Sequence, residues 1–205
     1  MLTFVVYKRG KSMELKDAVY GRRSIRKFKD TPISEEDIRE IVEAGTMAPS
    51  GTNIQPWYFV AVANPDAVAE LREIASEGAL GFMPRLQERF KDHPEVIKST
   101  TSFIGTFGYA PFILLAFVRP AEVKDGRDTM IQSIAAGIEN MCLTAYDKGI
   151  GSCWMTALIT GGVAEKIRER FAPERGELVA TVAFGYPDQE MKAPKRKDDR
   201  VEYIL

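Results

Sequence analysis

The sequence predicts an α+β fold: a sheet flanked by helices, with one long helix at its centre. Three observations carry this. Phe112 to Phe117 is an unbroken apolar run of strand length, as a strand covered on both faces requires. From Asp128 to Lys148 the residues Ile131, Ile134, Ala135, Ile138, Met141, Cys142 and Ala145 recur at helical spacing, with almost no polar interruption on that face. Two further strand candidates, Trp57 to Val62 and Leu178 to Phe184, alternate with helical stretches, and the chain shows neither an internal repeat nor a linker.

The elements follow in order. Residues 1–13 form an N-terminal extension, in which Met13 offers an alternative start, and residues 14–205 form one unit. Leu15, Ala18 and Val19 sit at helical spacing. Ser34-Glu35-Glu36-Asp37 opens a second helix, with Ser34 as N-cap, acids in the first turn, and Ile38, Ile41, Val42 and Gly45 as its buried stripe. Pro65 starts another helix through Val68, Leu71 and Ile74. Residues 78–110 hold no sustained period and mix Gly78, Gly81, Gly105 and Gly108 with Phe82, Phe90, Phe103, Phe107 and Tyr109. Two readings fit them: an irregular connector with a helix or two, or a lid or pocket wall. Gly149 ends the central helix as a C′ glycine. A helix near 163–171 precedes the last strand. The tail from Gly185 finishes in Val201-Glu202-Tyr203-Ile204-Leu205, too apolar to be left in water, so it is expected to dock, with a partner subunit as one candidate.

Composition bounds the function. With 205 residues, 45% apolar, the chain can bury a sizeable core alone or as one subunit of an intertwined dimer. Lys and Arg number 28 against 29 acids, so net charge gives no case for nucleic-acid or acidic-membrane binding. Cys142, Cys153 and His93 are too few for a zinc or iron–sulfur site. A disulfide between the two cysteines stays open, although so low a count fits a reducing cytoplasm better. No apolar run approaches the roughly 20 residues that span a bilayer. Phe4-Val5-Val6-Tyr7 is too short for a signal core and precedes its basic residues. A cytoplasmic location is expected.

Two segments carry chemistry. Arg22-Arg23-Ser24-Ile25-Arg26 packs three guanidinium groups and a hydroxyl into five residues. Arginine forks hold phosphate oxygens through paired, charge-assisted bonds, and helical spacing would put Arg22 and Arg26 on one side. Pro49-Ser50-Gly51-Thr52-Asn53-Ile54-Gln55-Pro56-Trp57 leads into a strand. Read as extended, it projects the Asn53 and Gln55 amides to one side, where donor and acceptor together match the edge of a flat heterocycle. Ser50 and Gly51 permit close backbone approach. Taken singly, a solvated basic turn and a polar turn explain these as well. Gly149-Ile150-Gly151-Ser152-Cys153-Trp154-Met155-Thr156 reads as a glycine-led turn after the central helix, with Cys153 as core filler. Lys195-Arg196-Lys197, after Pro194, is a second basic cluster that alone reads as solvent-facing. With one histidine, His93, beside Pro94 in a charged stretch and expected to be exposed, a Ser-His-Asp or Cys-His engine is not expected.

Together, the Arg-Arg-Ser-x-Arg start, the Pro-Ser-x-x-Asn-x-Gln-Pro-Trp segment, the Gly-x-Gly-Ser-Cys-Trp turn and the Gly-Tyr-Pro tail with its basic cluster resemble the flavin-dependent nitroreductase family, over about residues 14–204. The resemblance implies an α+β intertwined homodimer that binds FMN at its interface. NADH or NADPH would reduce the FMN and a small-molecule acceptor would reoxidise it. By position, Arg22, Arg23, Ser24 and Arg26 would hold the phosphate and ring polar atoms. Pro49, Ser50, Gly51, Asn53 and Gln55 would line the flavin from the opposing subunit. Trp154, Met155 and Thr156 would lie near the ring through main-chain groups, and Lys195, Arg196 or Lys197 would complete the phosphate site. No side chain is implied as catalytic and no metal is implied, because flavin N5 carries the chemistry. Nitroaromatics and quinones are the expected acceptors. The alternatives are a flavin carrier or redox sensor without turnover, and a relative that fragments flavin or removes halogen from an aromatic ring.

Overall fold

Strands β1 (Trp57–Val62), β2 (Phe112–Val118), β3 (Gly151–Met155) and β4 (Leu178–Gly185) form one antiparallel sheet in the order β1-β2-β4-β3. The computed structural model describes residues 13–119 and 126–205, so the extension ahead of Met13 lies outside the described residues. All of β2 is buried, as the apolar run requires. Its alternation feeds two cores. Ile113, Leu115 and Phe117 face one, and Phe112, Leu114, Ala116 and Val118 the other.

Helices α2 (Glu35–Thr46) and α5 (Arg127–Asp147) supply Ile41, Ile134, Ile138 and Met141 to the second core. Helices α3 (Pro65–Arg89), α4 (Pro94–Thr106), α6 (Ala157–Thr160) and α7 (Ala164–Phe171) supply Leu71, Ile104, Leu158 and Ile167 to the first. The short α1 (Leu15–Gly21) buries only Ala18.

Several sequence signals hold in atomic detail. Ser34 Oγ accepts the Asp37 N–H at 3.1 Å, and Asn64 Oδ1 accepts those of Asp66 and Ala67 at 3.0 and 3.1 Å ahead of Pro65. At the end of α5, Gly149 has φ +72° and its N–H donates to Tyr146 O at 2.9 Å. The Ile150 N–H donates to Ala145 O at 2.8 Å, which completes a Schellman motif. Lys148 Nζ then lies 2.8 Å from Asp37 Oδ1 and 2.6 Å from Glu40 Oε2, tying this end of α5 to α2.

Of the connector with a helix or two expected over residues 78–110, the helices are present and the irregularity is small. These residues continue α3, which at 25 residues outruns the 21 of α5, and then build α4 and a 3₁₀ turn over Phe107–Tyr109. The interior glycines that hide the helix in sequence exist for a contact. A Cβ at Gly81 would lie 2.2 Å from the Gly161 carbonyl oxygen, and one at Gly161 would lie 2.1 Å from that of Gly78. This backbone contact outweighs the helix-breaking propensity of about 1 kcal/mol per glycine. Among the described residues no helix is long and apolar enough to cross a membrane.

Candidate functional site

Residues 22–26 are a strap, not a helix. Helix α1 stops at Gly21, and Arg22 has φ −53° and ψ 135°. Ser24 bridges Ser152 in parallel, and the Ile25 N–H donates to Ser152 O at 2.9 Å, so the strap runs along β3. Further on, the Lys29 N–H donates to Tyr186 O at 2.8 Å and the Asp188 N–H to Lys27 O at 2.9 Å. Gly151 makes room for it, since a Cβ there would fall 2.7 Å from Ile25 Cγ1. Gly151–Met155 is accordingly a strand; the glycine-led turn expected from sequence is confined to the residues before it.

The three arginines have different commitments. Arg22 Nε lies 3.2 Å from Glu139 Oε1. Arg23 Nη1 donates to Tyr20 O at 2.8 Å and Arg22 O at 2.7 Å, while its buried Nε has no partner among the described residues. Arg26 is exposed; its N–H donates to Gln189 Oε1 at 3.2 Å and its guanidinium sits 6.0 Å from the centroid of the Phe103 ring. Two of these charges reach β3: burial pushes the Cys153 thiol up, and Arg26 and then Arg22 pull against it. Cys142 is pushed up to about 12, chiefly by burial. Both cysteines are free, buried and un-ionised at neutral pH, so neither serves as a nucleophile. Trp154 is 38% exposed beside the strap, Met155 is buried and Thr156 is exposed. An orphaned buried guanidinium N–H, an exposed arginine and a hydroxyl residue on one strap form a donor set that fits a phosphate dianion.

The second predicted segment departs from the extended reading. Gly51–Asn53 is a 3₁₀ turn, and Thr52, Asn53 and Gln55 hold φ of 47°, 58° and 47°. The two amides meet through this turn, not by strand alternation: Gln55 Nε2 donates to Asn53 Oδ1 at 3.1 Å, and the Gln55 N–H to Ser50 Oγ at 3.1 Å. Pro49 is exposed at its start. Gly51 abuts α5 at Thr129, where an added Cβ would lie 3.3 Å from Cγ2. The strap meets α5 at Glu139. Those contacts are about 15 Å apart along the helix axis, at 1.5 Å per residue. Within one chain the strap pairs with Ser152 on β3, the strand that also carries Trp154 and Met155, whereas Pro49–Gln55 sit at the other end of α5. Lys195, Arg196 and Lys197 lie on the exposed tail. Glu139 and Gln189, which fix the strap, had no signal in the sequence because both contacts are long-range.

The nitroreductase family model matches residues 19–186. The chain belongs to the nitroreductase family. An NADH dehydrogenase of Thermus thermophilus is 31% identical over 188 residues, 87% of this chain and 89% of that protein. An iodotyrosine deiodinase of Nematostella vectensis is 24% identical over 203 residues, 95% of this chain and 75% of its own. The crystal structure of a nitroreductase with bound FMN from Bacteroides fragilis matches with a TM-score of 0.72 and 26% identity, over 95% of this chain and 100% of that one. The α+β sheet with its flanking helices is thus the fold of nitroreductase structures, as the resemblance implied.

Proposed function

We propose that the protein is an FMN-dependent NAD(P)H oxidoreductase that passes electrons to a nitroaromatic, a quinone or another small acceptor, as a cytoplasmic homodimer. The observation that carries the reading is the cationic strap bonded along β3, with Arg26 exposed and the Arg23 Nε unpartnered. Arg22, Arg23 and Arg26 would hold the FMN phosphate and ring polar atoms, with the Ser24 hydroxyl as a further donor. Main-chain groups of Trp154, Met155 and Thr156 would meet the ring, and Lys195, Arg196 or Lys197 the phosphate. Pro49, Ser50, Gly51, Asn53 and Gln55 would come from the second copy, because their own end of α5 is remote from the strap. When bound, FMN supplies the hydride-accepting and electron-donating chemistry. The chain's part is to bind and orient; water serves as the proton source, since His93 is exposed and pairs with Glu95 at 3.4 Å.

The dimer has a physical motive. Leu15, Val19 and Tyr20 of α1 are exposed, and on the tail Ile204 is 94% exposed. The second core covers one side of α5 but leaves Ala135 and Leu143 half-buried. A second copy would remove this apolar surface from water. Two buried free cysteines suit a reducing compartment.

The deciding experiment is flavin content after Arg22→Ala together with Arg26→Ala. Loss of FMN from a folded protein supports the assignment, and full occupancy removes it. A dehalogenating reading is favoured by one observation: the Nematostella deiodinase aligns over 95% of the chain. Iodide release from iodotyrosine by the reduced protein would make that the better account.

A further inference from the structure

We propose that the cleft between α3 and α4 anchors the anionic group of an aromatic ligand that reacts at the strap. This rests on the flavin-dependent reading above and specifies what that site takes. The cleft is a cavity of about 860 Å³ whose walls include Arg26, Phe82, Arg85, Glu88, Arg89 and Phe90. Phe82, Arg85 and Arg89 recur at intervals of three and four, so they share one face of α3.

That face is costly without a ligand. Arg85 and Arg89 are like charges four residues apart, an arrangement that destabilises a helix. Most other arginines are engaged: Arg22, Arg39, Arg127, Arg168 and Arg170 each have a carboxylate partner, Arg23 and Arg72 donate to backbone carbonyls, and Arg175 lies over the Tyr58 ring. Arg26, Arg85 and Arg89 have no carboxylate partner within 4.0 Å among the described residues. Glu88 is the acid among the named walls, and it leaves an excess of positive charge. The apolar walls are fixed: Phe82 and Phe90 are partly buried against the core, and the Arg89 guanidinium lies 5.4 Å from the centroid of the Phe90 ring.

Flat apolar walls beside paired guanidinium forks suit a planar ring bearing a carboxylate or phosphate. A neutral aromatic would leave the forks unused. Arg26 belongs to both the cleft and the strap, so a ligand anchored here lies next to the flavin site. The same chemistry has two sources: an aromatic acid that accepts electrons, or the phosphate-bearing adenine end of the nicotinamide donor.

The test is a calorimetric binding titration of the purified holoprotein, wild type against Arg85→Ala with Arg89→Ala. The probes are para-nitrobenzoate, neutral para-nitrobenzyl alcohol, NAD⁺ and NADP⁺. For an acceptor site, the variant loses about tenfold in affinity for para-nitrobenzoate, the scale of one charge-assisted contact, and none for the alcohol. The Arg85→Lys with Arg89→Lys variant keeps part of it. Loss confined to the oxidised nicotinamides identifies the donor as the source. Unchanged affinities for all four probes overturn the proposal. Flavin content, read on the same samples, stays at the wild-type value, and the unfolding midpoint does not fall, if the cleft acts only in ligand binding. Wild-type protein that never holds FMN would instead defeat the flavin reading, and the same titration of the FMN-free protein still reports on the cleft.

Discussion

Arg22 Nε lies 3.2 Å from Glu139 Oε1, and that ion pair fixes the cationic strap to α5 about 15 Å from where Gly51 meets Thr129. In the proposed homodimer, a second copy of the chain would bring together the two segments held that far apart on one helix.

Complementation between copies follows. Chains carrying Arg22→Ala and Arg26→Ala, mixed with chains carrying Asn53→Ala and Gln55→Ala, form mixed dimers in which one of the two sites is intact. Each variant alone loses flavin. The refolded mixture regains roughly a quarter of wild-type FMN, because half of its dimers are mixed and each holds one good site. Fluorescence of FMN released by heat measures it.

The turn after Ser50 holds strain. Thr52 is β-branched and sits at φ 47°, a region that such residues populate at a cost of about 1–3 kcal/mol. Thr52→Gly is expected to stabilise the protein by about 1 kcal/mol in urea unfolding and to weaken FMN retention, as the turn is no longer held in its shape.

The close approach of α3 to Gly161 predicts a large loss. A Cβ at Gly161 would lie 2.1 Å from the Gly78 carbonyl oxygen, and backbone has little room to give. Gly161→Ala is expected to destabilise by roughly 2 kcal/mol or more, read as a lower urea midpoint at constant slope.

Acid sensitivity is expected at the junction of α2 and α5. Hydrogen bonds from Lys148 and then Ser34 hold the Asp37 carboxyl below its ordinary range. A depressed carboxyl contributes stability that is complete above its unfolded pKa, about 3.9, and is lost as pH falls through the lower folded value. Burial opposes the Lys148 charge, yet its bonds to Asp37 and Glu40 leave its pKa raised, so its share persists until pH passes above the ordinary lysine range. Asp37→Asn is expected to cost about 1 kcal/mol at neutral pH and to flatten the decline below pH of about 4, measured by unfolding across an acid series.

What the sequence revealed depended on how local each cause is. The apolar run of β2, the Ser34 and Asn64 caps and the Gly149 turn act within a few residues, so pattern alone finds them. Helix α3 was hidden past Gly78 because those glycines answer to Gly161, far along the chain. The conformation of the strap was not legible because it is set by Ser152 on a distant strand. Thr52 and Gln55 are not residue types that announce a left-handed backbone, so the second segment looked extended. The two candidate segments are legible as motifs, but their separation along α5 is not, because it depends on the long-range contacts of Gly51 with Thr129 and Arg22 with Glu139.

The central claim is tested most directly by the visible absorption of the purified protein, recorded before and after anaerobic addition of NADH and then of NADPH. Oxidised flavin bands are expected to bleach with at least one donor and to return when para-nitrobenzoate is added. A protein that shows no flavin even after incubation with FMN, or whose flavin bands persist with both donors, would contradict that claim.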